Sequence, residues 1–178
     1  LHHLGDLFGF GPLGLDLISL PFTIVAIVLL INAINLMDGL DGLAGGQGLV
    51  ILGWIALACF FAGDMERLAP ILPMLGVLLG FLFYNMRHPA RAQASIFLGD
   101  AGSLCLGLTI AWFAITAAQD PSPVLTPISV AWILALPIMD ECAQFYRRVR
   151  EGRHPFSPDR GHFHHHFIHA GLSVGKAT

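Results

Sequence analysis

Five apolar runs, at about 17–37, 43–62, 68–86, 97–118 and 124–146, limit this 178-residue chain to very few architectures. The first holds about 21 residues, roughly 31 Å of helix, which is enough to cross the hydrocarbon core of a bilayer. Pro21 sits near its start, where proline is tolerated. The fourth run starts at Phe97 or Gly102. Pro70 and Pro73 fall in the opening turns of the third. Only 12% of residues are charged and 55% are hydrophobic, with a mean hydropathy of +0.71; soluble domains carry about 25% charge. The chain reads as an all-α integral membrane protein of about five transmembrane helices, 17–146, forming one membrane domain.

The polar segments between the runs are short. Residues 1–16 are Gly-rich with alternating apolar positions, which predicts a hairpin or irregular segment at the membrane surface; His2 and His3 read as part of a solvated or truncated end. Residues 147–178 lose the apolar pattern and read as a basic, His-rich loop. Alternating spans place 38–46, 87–101 and 147–178 on one side, and 1–16, 63–67 and 119–123 on the other. Of nine Lys and Arg, only Arg67 falls on the second side. Basic loops stay cytoplasmic, so the first side is expected to face the cytoplasm. A net charge of −3 without a basic face gives no support to a nucleic-acid partner. Cys59, Cys105 and Cys142 are far apart and lack metal-ligand spacing, so they read as small buried hydrophobes. The Trp residues at 54, 112 and 132 read as interface or lipid-facing aromatics.

Three polar motifs lie on the basic side. The first, NAINLMDGLDGLAGG at 32–46, puts Asn32, Asn35, Asp38 and Asp41 at the end of a membrane-length run, where acids are costly and need a reason. If the helix continues, Asn35, Asp38 and Asp41 share a face at i, i+3, i+6. That face offers oxygen ligands suited to a magnesium-bound phosphate, and its glycines allow a bend or a close ligand approach. The second motif, FLGDAGS at 97–103, puts Asp100 near a helix N-terminus, as a cap or as a magnesium ligand beside bound phosphate. Its position on the side of Asp38 and Asp41 favours the ligand. The third, PFSPDRGHFHHH at 155–166, offers Asp159, Arg160, His162, His164 and His165. Zinc is the rival reading, but no cysteine is near and adjacent histidines rarely reach one ion. Arginine with histidines suits phosphate or uridine binding, or proton movement. Asn85 is read as a ligand contact or a helix cap, and Arg87 and Arg91 as phosphate holders or topology-setting charge. Asp140 and Glu141 are read as a helix-end ion pair with Arg147 and Arg148.

Together, NAINLMDGLDGLAGG, YNMRHPARAQASIFLGDAGS and FYRRVREGRHPFSPDRGHFHHHF resemble the polyprenyl-phosphate N-acetylhexosamine-1-phosphate transferase family. The Ser-Pro-Asp-Arg-x-His-x-His-His form looks like the branch that moves GlcNAc-1-phosphate from UDP-GlcNAc onto undecaprenyl phosphate. The muramoyl-pentapeptide branch more often has a Pro-Leu-His-His-His-Phe type of sequence here. The resemblance implies a bacterial inner-membrane transferase facing the cytoplasm, with a UDP-N-acetylhexosamine, a polyprenyl phosphate lipid and Mg²⁺ or Mn²⁺. A lipid phosphate oxygen would attack the β-phosphorus and UMP would leave. By the same resemblance Asp100 would ligate magnesium with Asn35, Asp38 and Asp41 would be essential acids, and Asn32, Asn85, Asp159, Arg160, His162, His164 and His165 would line the substrate site. The family carries an Asp-Asp motif in an earlier loop, and this chain has no Asp-Asp pair. With Leu1 in place of an initiator Met and no visible secretory signal, the chain reads as an internal fragment of a larger bundle, inactive alone. A transporter with a cytoplasmic-edge acidic site and a structural membrane subunit are the competing classes; glycine-interrupted helices suit the first, though transporter sites usually lie near the midplane.

Overall fold

The computed structural model describes residues 1–6, 9–87, 91, 93–119, 121–154 and 170–171. All its regular elements are helices: α1 (Ser19–Met37), α2 (Leu43–Ala62), α3 (Met65–Asn85), α4 (Gly99–Gln119), α5 (Pro127–Ile133) and α6 (Ala135–Arg150), with a 3₁₀ turn at Asp16–Ile18 leading into α1. Four of these are long and apolar enough to cross a membrane, and α5 with α6 make a fifth if the pair is one span. The expected fifth helix at about 124–146 is this pair, whose halves meet at 72°. Leu134 leaves helical geometry at the break (ψ 3°), and Pro137 lies just beyond it, where a missing N–H weakens the helix ladder. α3 begins at Met65 rather than 68, because Asp64 accepts the Arg67 backbone N–H as its N-cap. α6 runs to Arg150, so the segment expected to be loop from 147 is helical for four more residues.

α1 packs against α4 and α6, and α2 packs against α3 and α4. On α1 the buried residues Leu30, Ala33, Ile34 and Met37 form one stripe at i, i+3, i+4, i+7. Leu30 and Ile34 join Ile51, Leu52, Ile55, Ile71, Ile110 and Ala114 in a core running through the bundle, while Met37 packs with Leu43 and Ala44 in a smaller cluster. Small residues set how closely helices approach. A Cβ on Gly107 of α4 would lie 2.8 Å from the Ile31 Cα of α1, and one on Gly48 would lie 2.9 Å from Leu106.

The ends of the bundle separate as the alternation of spans predicts. At one end residues 1–6 and 9–15 form a segment tied by backbone bonds between Leu4 and Leu13 and between Leu15 and His2. Its His2 and His3 backbones are held by the side chain of Gln119 at the end of α4. Arg67 reaches the Ser122 carbonyl at the same end. The 38–42 turn shares the opposite end with residues 86–87 and 93–98, joined by the contacts described below. Trp54, Trp112 and Trp132 are all exposed, as helix-surface aromatics should be. Cys59 is buried, but Cys105 and Cys142 are exposed, against the expectation for all three.

Candidate functional site

α1 and α4 are antiparallel neighbours in a repeating register. Ile31 lies against Gly107 and Asn35 against Ser103, and Asp38 reaches the start of α4. The Asn35 amide nitrogen donates to Ser103 Oγ at 2.8 Å and to Asp100 Oδ1 at 3.4 Å. Ser103 is fully buried and donates on to the Gly99 and Asp100 carbonyls. One amide thus ties the first motif to the second.

Asp38 is the C-cap of α1, and its Oδ2 accepts the Gly99 N–H at 3.1 Å. Burial pushes its carboxyl above the usual carboxylate range, the Gly99 hydrogen bond opposes that, and the negative charge of Asp100 adds to it. The helix ends act oppositely on the two acids. Asp100 lies in the first turn of α4, where the dipole favours an anion, whereas Asp38 lies at the C-terminus of α1, where it does not. Two carboxylates beside a side-chain amide offer hard donors. Magnesium takes such a set, with one or two carboxylates completed by substrate phosphates and water. Among the described residues no group of three or more His, Cys, Asp and Glu gathers at metal distance. A divalent ion completed by substrate phosphates and water would suit Asp38 and Asp100, with the Asn35 side chain between them.

The first motif does not stay helical. α1 stops at Met37, and Gly42 takes a left-handed φ of 84° ahead of α2. This turns Asp41 away from the Asn35 and Asp38 face, so the expected i, i+3, i+6 stripe breaks after its second member. Asp41 instead meets Arg87 Nε at 2.7 Å and the Ala94 N–H at 3.4 Å. Gly42 is needed for that turn, because a side chain is strained at its φ. Gly45 has a packing role rather than a ligand one, since a Cβ there would lie 2.8 Å from the Phe81 ring.

Asn85, at the end of α3, is 4% exposed. Its Oδ1 accepts the Gly42 N–H at 2.6 Å and its Nδ2 donates to the Ile96 carbonyl at 2.7 Å. Asn32 is half-buried one turn before Asn35. Asp159, Arg160, His162, His164 and His165 lie outside the described residues. A cavity of about 600 Å³ bounded by Asp64, Arg67 and Trp112 opens at the opposite end of α2, α3 and α4, remote from the motif acids.

Sequence reasoning missed two features. Ser103 was legible only as part of a Gly-Asp-x-Gly-Ser string, yet it receives Asn35. On α6, Asp140, Glu141, Gln144 and Arg148 are all about 3% exposed, so the acids expected to pair with Arg147 and Arg148 lie inside the bundle. They form one buried row at i, i+1, i+4, i+8, and Arg147 donates to Gln144 at 2.6 Å. The signal for this lay in the spacing, which sets the polar residues on a single face of an otherwise apolar span.

Residues 1–118 match the family described as Glycosyl transferase family 4. The undecaprenyl-phosphate alpha-N-acetylglucosaminyl 1-phosphate transferase of Haemophilus influenzae is 40% identical over 177 residues, covering 99% of this chain and 50% of that protein. The protein of that name from Salmonella typhi is 37% identical over 180 residues, covering 98% and 48%. That from Escherichia coli K12 is 35% identical over 133 residues, covering 75% and 36%. The chain spans about half the length, or less, of these curated relatives. The family match takes in α1 to α4 and with them Asn35, Asp38, Asp41 and Asp100, and the chain belongs to glycosyl transferase family 4.

Proposed function

We propose that the protein containing this chain transfers N-acetylglucosamine-1-phosphate from UDP-GlcNAc to undecaprenyl phosphate and releases UMP. The observation that carries the reading is the joining of Asn35, Asp38, Asp100 and Ser103 at one end of α1 and α4. The activity named for the relatives agrees with it. The acids sit where helices end, at the level at which a lipid phosphate meets water. The orientation rests on charge. Arg87, Arg91, Arg147, Arg148, Arg150 and Arg153 all belong to segments at this end or leading to it, which supports a site on the cytoplasmic face of a bacterial inner membrane.

In the proposed reaction an oxygen of the lipid phosphate bonds to the β-phosphorus of the nucleotide sugar. The bond from that phosphorus to the bridging oxygen breaks, and the electron pair leaves with UMP. Asp38, Asp100 and Asn35 would hold Mg²⁺ or Mn²⁺, which when bound neutralises charge on the pyrophosphate. Asn35 fixes the spacing between α1 and α4, and the N-terminus of α4 presents a positive dipole end to phosphate oxygens. Arg87 holds Asp41 at the rim of the site. Asp159 and Arg160 with His162, His164 and His165 would contact the nucleotide.

UMP release by membranes carrying the full-length protein tests the reading, with UDP-GlcNAc, undecaprenyl phosphate and magnesium supplied and Asp100→Asn alongside. The expected result is release that needs both lipid and metal and collapses in the variant. Well-expressed protein that releases no UMP with this or any other UDP-N-acetylhexosamine overturns it.

A further inference from the structure

Asn85 bridges the two backbone segments that carry the acids. Its acceptor end takes the N–H of Gly42, directly after Asp41, and its donor end holds the carbonyl of Ile96, four residues before Asp100. The partners fix which end is which, because a flipped amide would set N–H against N–H and oxygen against oxygen. The other ties between these segments are more exposed: Arg87 with Asp41, the Ala94 N–H with Asp41, and the Gly99 N–H with Asp38. Asn85 alone among them is a buried side chain bonded to main chain on both sides. Removing it leaves a buried N–H unpaired at Gly42, a loss that water at the rim only partly replaces. Its neighbours strengthen the same fold-back: the Ser95 N–H donates to the Tyr84 carbonyl at 2.9 Å, and Arg91 donates to the Phe83 carbonyl at 2.6 Å.

We infer that Asn85 is a positioning residue that sets the separation of the Asp38–Asp41 turn from the Asp100 segment, and through it the affinity for the divalent cation, without contacting the nucleotide sugar. A side chain with both amide ends committed to main chain and 4% exposure has little left to offer a substrate. The magnesium arm of the test rests on the proposed transferase reading; the exchange arm does not.

The experiment uses the full-length protein in nanodiscs, as wild type, Asn85→Ala and Asn85→Asp, with Thr116→Ala at the opposite end of the bundle as control. Hydrogen–deuterium exchange is followed at Gly42 and at 95–99, and UMP release is titrated with MgCl₂ and with UDP-GlcNAc. Asn85→Ala is expected to raise exchange in both segments. It should also raise the half-saturating magnesium about tenfold, as lost supporting contacts do, with KM for UDP-GlcNAc at saturating magnesium changed less than about twofold. Asn85→Asp keeps the acceptor for Gly42 but loses the donor to Ile96. It should therefore leave Gly42 protected and free only 95–99, which decides the matter even if the alanine variant fails to fold. Unchanged exchange with a tenfold or greater rise in KM for UDP-GlcNAc would make Asn85 a substrate contact and overturn the inference. If wild type releases no UMP, the transferase reading fails, while the exchange pattern still decides what Asn85 holds.

Discussion

Gly107→Ala tests whether the spacing of α1 and α4 sets the site. The new Cβ would lie 2.8 Å from the Ile31 Cα, 3.3 Å from its carbonyl oxygen and 3.5 Å from its carbonyl carbon. These are backbone atoms, so no side chain can swing aside. Carbon atoms rest about 3.5–4.0 Å apart, so the helices must separate by roughly 0.7 Å or more. Overpacking of this kind costs about 1–3 kcal/mol, against a gain of up to about 1 kcal/mol for replacing a helical glycine with alanine. The net destabilisation is then about 0–2 kcal/mol, and the protein folds. The site fares worse. The 2.8 Å Asn35–Ser103 bond would stretch to about 3.5 Å, past hydrogen-bond range, and the 3.4 Å contact to Asp100 would be lost. Misplacement near 1 Å can lower turnover about a hundredfold. The assay is UMP release from purified full-length protein, paired with its melting temperature and with Gly53→Ala as control, where an added Cβ meets nothing within 4 Å. Wild-type turnover in Gly107→Ala at full expression would refute the reasoning.

Asp38→Asn should stabilise the fold at neutral pH in EDTA while abolishing transfer. The Asp38 carboxyl is raised above 3.8, so its favourable contribution is present below that value and lost as pH rises through the raised one. Ionisation above the raised value therefore opposes folding, Asn keeps an acceptor for Gly99, and the advantage in melting temperature should shrink as pH falls toward the usual carboxylate range; a lower melting temperature at neutral pH contradicts this. Arg87→Gln should change stability by less than about 1 kcal/mol, because the guanidinium is 39% exposed, yet speed hydrogen exchange in the 38–42 turn. Arg148→Met removes a positive charge from a buried row holding Asp140 and Glu141. Breaking such a set costs about 3–5 kcal/mol, which thermal unfolding in detergent should show as a large drop, whereas Arg150→Met at the exposed end of α6 should be near neutral.

The sequence by itself determined the helices, because span length and hydropathy are local properties: α2 at Leu43–Ala62 falls on the apolar run at 43–62, and α1 ends at Met37, where the polar motif begins. It also determined which segments share an end, since a helix that crosses must deliver its loops to alternate sides. Three matters belonged to the tertiary structure. Whether Asp41 stays with Asp38 depended on Gly42, whose left-handed backbone sends the aspartate to Arg87, and pattern alone favoured neither outcome. Asn85 reads as a ligand contact or a cap in sequence, and its commitment to Gly42 and Ile96 exists only once residues 43 and 11 positions away are brought to it. The burial of Asp140 and Glu141 likewise depends on α1 packing against α6. A composition window sees how apolar a span is. It does not see which face meets a neighbour, because that is set by partners far away in the chain.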